Sequence, residues 1–206
     1  MKLFISADIE GTAGIVSWKE TQPGDQYGYF AGQMTRAAAM TGYHTCAGSD
    51  GNPLAHTMNP GVEKVLLNGT ACSEFTINAL YAAYMAVSVI FQSGDEMVCG
   101  MAKELCPGII TVAATRGIGG GAVGLHPEEA REQIGGGMER AVRRLKEQLK
   151  DGKASDCRIR LPEHFTLEVH YREHKKAYRA SFYPGAVKKR IRSIYHCWNI
   201  ALVEYR

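Results

Sequence analysis

The stretch Leu3-Phe4-Ile5-Ser6-Ala7-Asp8-Ile9-Glu10-Gly11 decides how the rest of the chain is read. Its apolar residues make a short buried strand, and Gly11 opens a turn after it. Side chains two apart on a strand share a face, so this reading sends Asp8 and Glu10 the same way from the strand's C-terminal end. In open α/β sheets, ligands bind outside that end. Two adjacent carboxylates repel unless a cation or a shared proton offsets their charge. Taken alone, the pair reads equally well as two solvated acids before a glycine turn.

Working outward, the pattern alternates between strand and helix. A helical pattern is expected over 29–40, followed by the polar loop Gly42-Tyr43-His44-Thr45-Cys46-Ala47-Gly48-Ser49-Asp50-Gly51-Asn52-Pro53. Loops of this composition often carry function on a rigid scaffold. Residues 62–67 with Asn68-Gly69 predict one arm of a hairpin. Ser73 is the expected cap of a helix covering 77–86, and a buried strand is expected over 87–91. Ser93-Gly94-Asp95-Glu96 then caps a helix through Leu105, and 109–114 is a further strand. Gly119-x-Gly121-x-x-Gly124 follows that strand, but the next helix starts only near Pro127. The glycines therefore predict a turn or a loop over a site, and not a dinucleotide fingerprint. Residues 127–149 form a long charged helix, with Pro127 and two acids in its first turn, and His126 at its start. Strands are expected over 158–161 and 165–170, and a short helix over 174–181. The fold class that follows is α/β: an open, mostly parallel sheet flanked by helices, with a metal site at the strand C-terminal ends. The organisation is a single domain over residues 1–206, with room for a smaller C-terminal subdomain from about 155 to 206.

With 206 residues and a hydrophobic content of 45%, the chain has enough apolar surface for a true core. The net charge of +3 is uneven, with 12 Lys/Arg against 6 Asp/Glu from Asp151 onward. No aromatic-basic module accompanies that excess, so it reads as a solvated face with no nucleic-acid partner. No apolar run reaches the about 18 residues of a membrane span, so no membrane is expected as a partner. The first apolar run is broken at Asp8, which argues against a secretory signal. Without such a signal, the six scattered cysteines read as reduced thiols of a cytoplasmic protein.

Chemistry-bearing residues gather in a few places. Asp8 and Glu10 stand at a strand end, His44 and His56 lie in the polar loop region, and Glu74 stands at a helix start. Imidazole and carboxylate together suit zinc. Two ions sharing a carboxylate would activate water near neutral pH and clamp a tetrahedral intermediate. The spacing carries no local signature, so on composition alone solvated side chains are the favoured reading at this point. His170 and His174 are four apart, but a strand and a helix separate them, which disfavours a shared ion. Cys46, beside His44, has no positioned base and reads as an idle thiol.

Several ordered motifs carry a resemblance. Met1 to Gly11, Gly42-Tyr43-His44, Ala55-His56-Thr57-Met58, and Ser73-Glu74 with Asn78-Ala79 are similar to segments of the D-aminopeptidases of the dinuclear zinc type. So are Ser93-Gly94-Asp95-Glu96, Tyr178-Arg179-Ala180 and Pro184-Gly185. The resemblance runs from Met1 to about Lys189. It implies Asp8 as the carboxylate shared by two zinc ions, Glu10 on one ion, and His44 and Glu74 on the other. It implies His56 as the catalytic residue acting on the substrate carbonyl, as nucleophile or general base. It further implies release of N-terminal D-amino acids from short peptides by a ring-like homo-oligomer.

One departure is large. The family carries an Asp-Ser-His segment between its first helix and Gly-Tyr-His, and its histidine completes the Glu10 site. Here Ala37-Ala38-Ala39-Met40 runs straight into Thr41-Gly42-Tyr43-His44, so at least two strands of the family pattern are missing between Ala39 and Gly42. In the family a strand precedes the histidine, whereas a helical pattern precedes His44. Two explanations compete. The sequence omits residues that the chain carries, which the intact flanking motifs favour and which implies two zinc ions per chain. Otherwise the deletion is real and one ion remains. The second case leaves open a non-catalytic metal-binding or assembly scaffold. The tail from Arg190 to Arg206 does not resemble the family; Tyr195, Trp198, Ile200 and Leu202 suit a final packed element.

Overall fold

The computed structural model describes residues 6–8, 40–85, 87–190 and 193–199. The chain divides into two compact units. The first holds Met1–Thr45, Ser49–Ala55 and Glu74–Arg160; the second holds Cys46–Gly48, His56–Ser73 and Leu161–Arg206.

The first unit is built on the sheet β1-β2-β5-β6-β7. Its strands are β1 (Ser6–Ala7), β2 (Met40–Tyr43), β5 (Phe91–Asp95), β6 (Ile110–Ile118) and β7 (Gly121–Gly124). The pairs β1–β2, β2–β5 and β5–β6 are parallel, and only β6–β7 is antiparallel. Helices α1 (Glu74–Tyr84), α2 (Glu96–Leu105) and α3 (Pro127–Lys150) pack on it. The expected fold class, a mostly parallel α/β sheet flanked by helices, is the one observed. The core joins Phe75 and Ala79 of α1, Val98 and Ala102 of α2 and Ala141 of α3 to Tyr43, Phe91 and Val112 of the sheet. Burying each large side chain completely contributes about 1.5–3 kcal/mol. Phe75 and Phe91, both with no exposed area, anchor the two sides of that cluster.

Three expectations need correction. The helical pattern over 29–40 ends in a strand: Met40 is the first residue of β2, paired with Ser6 and Gln92. Its helix propensity yields to burial between two parallel neighbours. Residues 29–39 lie outside the described residues. His44 therefore does follow a strand, as the family pattern requires, and β2 lies directly between β1 and β5 without a gap in the ladder. Next, the strand expected over 87–91 lies at Phe91–Asp95. The apolar residues Val89 and Ile90 lead into it, whereas its own Gln92, Ser93 and Asp95 are polar and fully buried. Flanked by parallel strands on both sides, β5 has no polar-out face to betray it. Finally, residues 158–161 form no strand among the described residues. Cys157 and Ile159 are buried and their neighbours Arg158 and Arg160 exposed, so the alternation is real but has no ladder partner.

The remaining elements follow their local chemistry. Gly119 and Gly120 both adopt positive φ (54° and 88°) in the two-residue turn between β6 and β7, so the glycine-rich run is a hairpin turn. His126 accepts from the Glu128 N–H and Pro127 opens α3, as expected of a helix start.

The second unit carries an antiparallel sheet, β4-β3-β8-β10-β9. It comprises β3 (Val62–Leu67), β4 (Thr70–Ala71), β8 (His164–Tyr171), β9 (Ala186–Arg190) and β10 (Ser193–Asn199), with helix α4 (His174–Ala180). Asn68 and Gly69 (φ 50° and 82°) make the predicted hairpin between β3 and β4. Strand β10 is the element the tail supplies, a partner to both β8 and β9 that no sequence signal placed.

Candidate metal centre

Parallel pairing brings the first two candidate residues together. Ala7 stands opposite Thr41, and the Asp8 N–H donates to the Thr41 carbonyl at 2.8 Å. Asp8 leaves β1 at the same end at which His44 leaves β2. The His44 Nε2 lies 3.4 Å from Asp8 Oδ2. This is the C-terminal end of the sheet, where open α/β folds place their ligands. Glu10 lies outside the described residues.

His44 is almost wholly buried, and its ring is fixed from behind. Nδ1 lies 2.9 Å from the Thr45 carbonyl oxygen. A carbonyl only accepts, so the Nδ1 proton is held toward it, and Nε2 is the nitrogen that faces Asp8. A histidine whose Nδ1 proton is held in this way ligates a metal through Nε2. His56 is buried, and Glu74, the first residue of α1, is half-buried. Within the first unit, His44 and Glu74 each present one ligand atom, and these lie within 4.8 Å of one another.

One imidazole and two carboxylates, those of His44, Asp8 and Glu74, form a nitrogen–oxygen donor set, which zinc takes readily. The residues present fit zinc on that chemistry. Within the first unit the structure thus brings Asp8 beside His44 and Glu74 within reach of His44, whereas His56 belongs to the second unit. His170, by contrast, pairs with Glu168 at 2.9 Å on β8, and His174 starts α4. Cys46 is a buried free thiol, as are Cys72, Cys99, Cys106 and Cys157.

Residues outside the ligand set hold its elements in place. The Asn78 side-chain amide of α1 donates to the Tyr43 hydroxyl at 2.8 Å, and the Tyr43 ring meets Phe75 edge-on at 6.1 Å. These contacts tie the helix that begins at Glu74 to the strand that ends beside His44. Asp95 closes β5 and accepts from the Thr45 N–H at 2.6 Å and the Val98 N–H at 2.8 Å. Burial pushes its carboxyl up to about 6, partly offset by donors from Val98, Thr45, Asn52 and Met97. Within the second unit, the Thr57 hydroxyl accepts from the Ala47 N–H and donates to the Cys72 carbonyl, fixing the segment that carries His56. Sequence reading found Asp95 only as a helix cap. Its bond to Thr45 spans 50 positions and leaves no local signal.

Comparison with known proteins bears on the family and the fold. The chain is similar to a D-aminopeptidase of Bacillus subtilis (strain 168), 34% identical over 88 residues. That alignment takes in 43% of this chain and 32% of the relative, so the match spans about a third of the relative's length. The fold matches the solved structure of the Zn-dependent D-aminopeptidase DppA from Bacillus subtilis, a self-compartmentalizing protease, with a TM-score of 0.78 and 18% identity. The match covers 98% of this chain and 93% of that one. The sequence profile of the D-aminopeptidase family Peptidase_M55 matches residues 1–41 and 33–198. With most of its length under that profile, this chain belongs to the Peptidase_M55 family of D-aminopeptidases.

Proposed function

We propose that this chain is a zinc-dependent aminopeptidase that releases N-terminal amino acids, of D configuration, from short peptides. The observation that carries the reading is the convergence of His44 and Glu74 within 4.8 Å, with Asp8 3.4 Å from His44, in a chain of this family. His44 and Glu74 would hold one zinc ion, Asp8 would bridge, and Glu10 would hold a second ion. Zinc, when bound, supplies a Lewis acid for the scissile carbonyl and lowers the pKa of water toward neutrality.

The chain's own residues do the rest. The Asp8 carboxylate, at the end of β1, balances positive charge at the site. His44 keeps its proton on Nδ1, toward the Thr45 carbonyl, so Nε2 stays available as a neutral donor. The buried His56 imidazole acts on the scissile carbonyl, as nucleophile or as general base. The reading includes two zinc ions per chain and self-assembly into a ring-like homo-oligomer, for which the self-compartmentalizing relative is the support. It also includes a cytoplasmic location, compatible with the finding that no described helix is long and apolar enough to cross a membrane.

The test is hydrolysis of D-alanyl amides and D-alanyl peptides by protein stripped with chelator and reloaded with zinc. Turnover should appear only on reloading. His56→Ala should lower kcat by a factor of about 100 or more while zinc content is unchanged. Absence of zinc uptake by the stripped, folded protein would overturn the reading.

A further inference from the structure

We infer that Asp95 is the positioning residue of the zinc centre: its buried carboxylate clamps Thr45, and through Thr45 sets the orientation of His44. This rests on the zinc reading above and deepens it.

The argument begins with what a helix cap needs. One side-chain oxygen accepting one N–H is enough, and serine or threonine supplies it at the surface. Asp95 has no exposed area, and burying a carboxylate is costly unless its oxygens are well used. Oδ1 serves α2 through the Val98 N–H, and the Met97 N–H donates to the same carboxylate. Oδ2 reaches across to the Thr45 N–H at 2.6 Å, a short charge-assisted bond, and Asn52 donates to the same carboxylate from its side chain.

Thr45 is thereby held on both sides. Its N–H is fixed by Asp95, its carbonyl faces His44 Nδ1 at 2.9 Å, and its hydroxyl accepts from Ser49 at 3.0 Å. The strands beneath are equally constrained. At Gly94, beside Asp95, an added Cβ would stand 1.8 Å from the Tyr43 carbonyl oxygen. β2 and β5 thus approach closely one residue before His44 and one before Asp95. A partner that fixes the far nitrogen of a ligating histidine sets both its tautomer and its aim. Here that partner is a backbone carbonyl, and Asp95 is what keeps it in place.

Asp95→Ser retains an oxygen able to cap α2 but cannot reach Thr45, and Asp95→Asn retains only one accepting oxygen. Zinc affinity is read by competition with a chromogenic chelator, and ligand geometry by the visible absorption of the cobalt-loaded protein. Both variants should bind zinc about 10–100-fold more weakly than the parent and show altered cobalt bands, while unfolding cooperatively in urea. A purely structural Asp95 would lower the urea midpoint and leave the zinc affinity of the folded protein unchanged, and that result overturns the inference. If the Asp95 variants do not fold, Asn52→Ala carries the test. It removes one donor to the carboxylate and should weaken zinc by a smaller factor; unchanged affinity there also overturns the inference. His44→Ala separates the two readings. If His44→Ala loses zinc and the Asp95 variants keep it, only the positioning role falls. If His44→Ala keeps zinc, the zinc centre falls and the positioning role with it.

Discussion

Met58, two residues beyond His56, holds φ at 67°, a left-handed conformation that an unbranched side chain adopts at a cost of about 1–2 kcal/mol. The Asn59 N–H donates to the Thr57 carbonyl at 2.8 Å across it, closing a three-residue turn of the strained kind. Its side chain is 68% exposed, so little packing offsets the strain. Met58→Gly should therefore stabilise the folded protein by up to about 1 kcal/mol after the extra chain entropy of glycine is subtracted. The urea midpoint reads it; a lower midpoint would mean that Met58 contributes contacts worth more than its strain costs. At this scale the sequence was informative about identity and silent about partnership. Asp8 and Glu74 could be picked out as residue types at expected element ends, and His44 and His56 as histidines of a polar loop region. The hold of Asp95 on Thr45 could not, because it joins residues that only the β2–β5 pairing brings together.

Helix α3 holds three consecutive glycines, Gly135, Gly136 and Gly137, an unusual load for a helix interior. Only Gly137 has a packing reason. A Cβ there would stand 2.8 Å from Phe91 Cε2 and 3.0 Å from Val112 Cγ2, inside the core, whereas one at Gly135 meets nothing within 4 Å. Gly137→Ala should destabilise by about 1–3 kcal/mol through overpacking, and Gly135→Ala should stabilise by about 0.5–1 kcal/mol through helix propensity. Opposite shifts of the thermal midpoint are the expected result, and equal shifts would count against this packing of α3 on β5. Elements with local punctuation were legible in advance: the Asn68-Gly69 hairpin, the Pro127 helix start and the Asp95 cap all stand where the chemistry puts them. Elements defined by non-local pairing were not. Met40 looked helical until two parallel neighbours buried it, and residues 158–161 alternated like a strand with no ladder to join. The same logic hid β10, whose place depends on β8 and β9 and not on its own pattern.

At the scale of the first unit, the candidate ligands occupy ends of three different elements: Asp8 follows β1, His44 follows β2 and Glu74 begins α1. An ion bound by all three would close separate stretches of chain onto one point, and it would bind the folded state far better than the unfolded one. Linkage then fixes the size of the effect. Free zinc at about 100 times its dissociation constant adds about 2.7 kcal/mol to the stability. For a chain of this length each kcal/mol moves the thermal midpoint by about 2–4 °C, so zinc should raise it by about 5–10 °C over chelated protein. His44→Ala and Glu74→Ala should each remove most of that shift, since each takes away a ligand. His170→Ala should leave it intact, because His170 is engaged with Glu168 on β8. A zinc-dependent shift that survives loss of both His44 and Glu74 would place the ion elsewhere in the molecule and separate the family's fold from the centre assigned to it here.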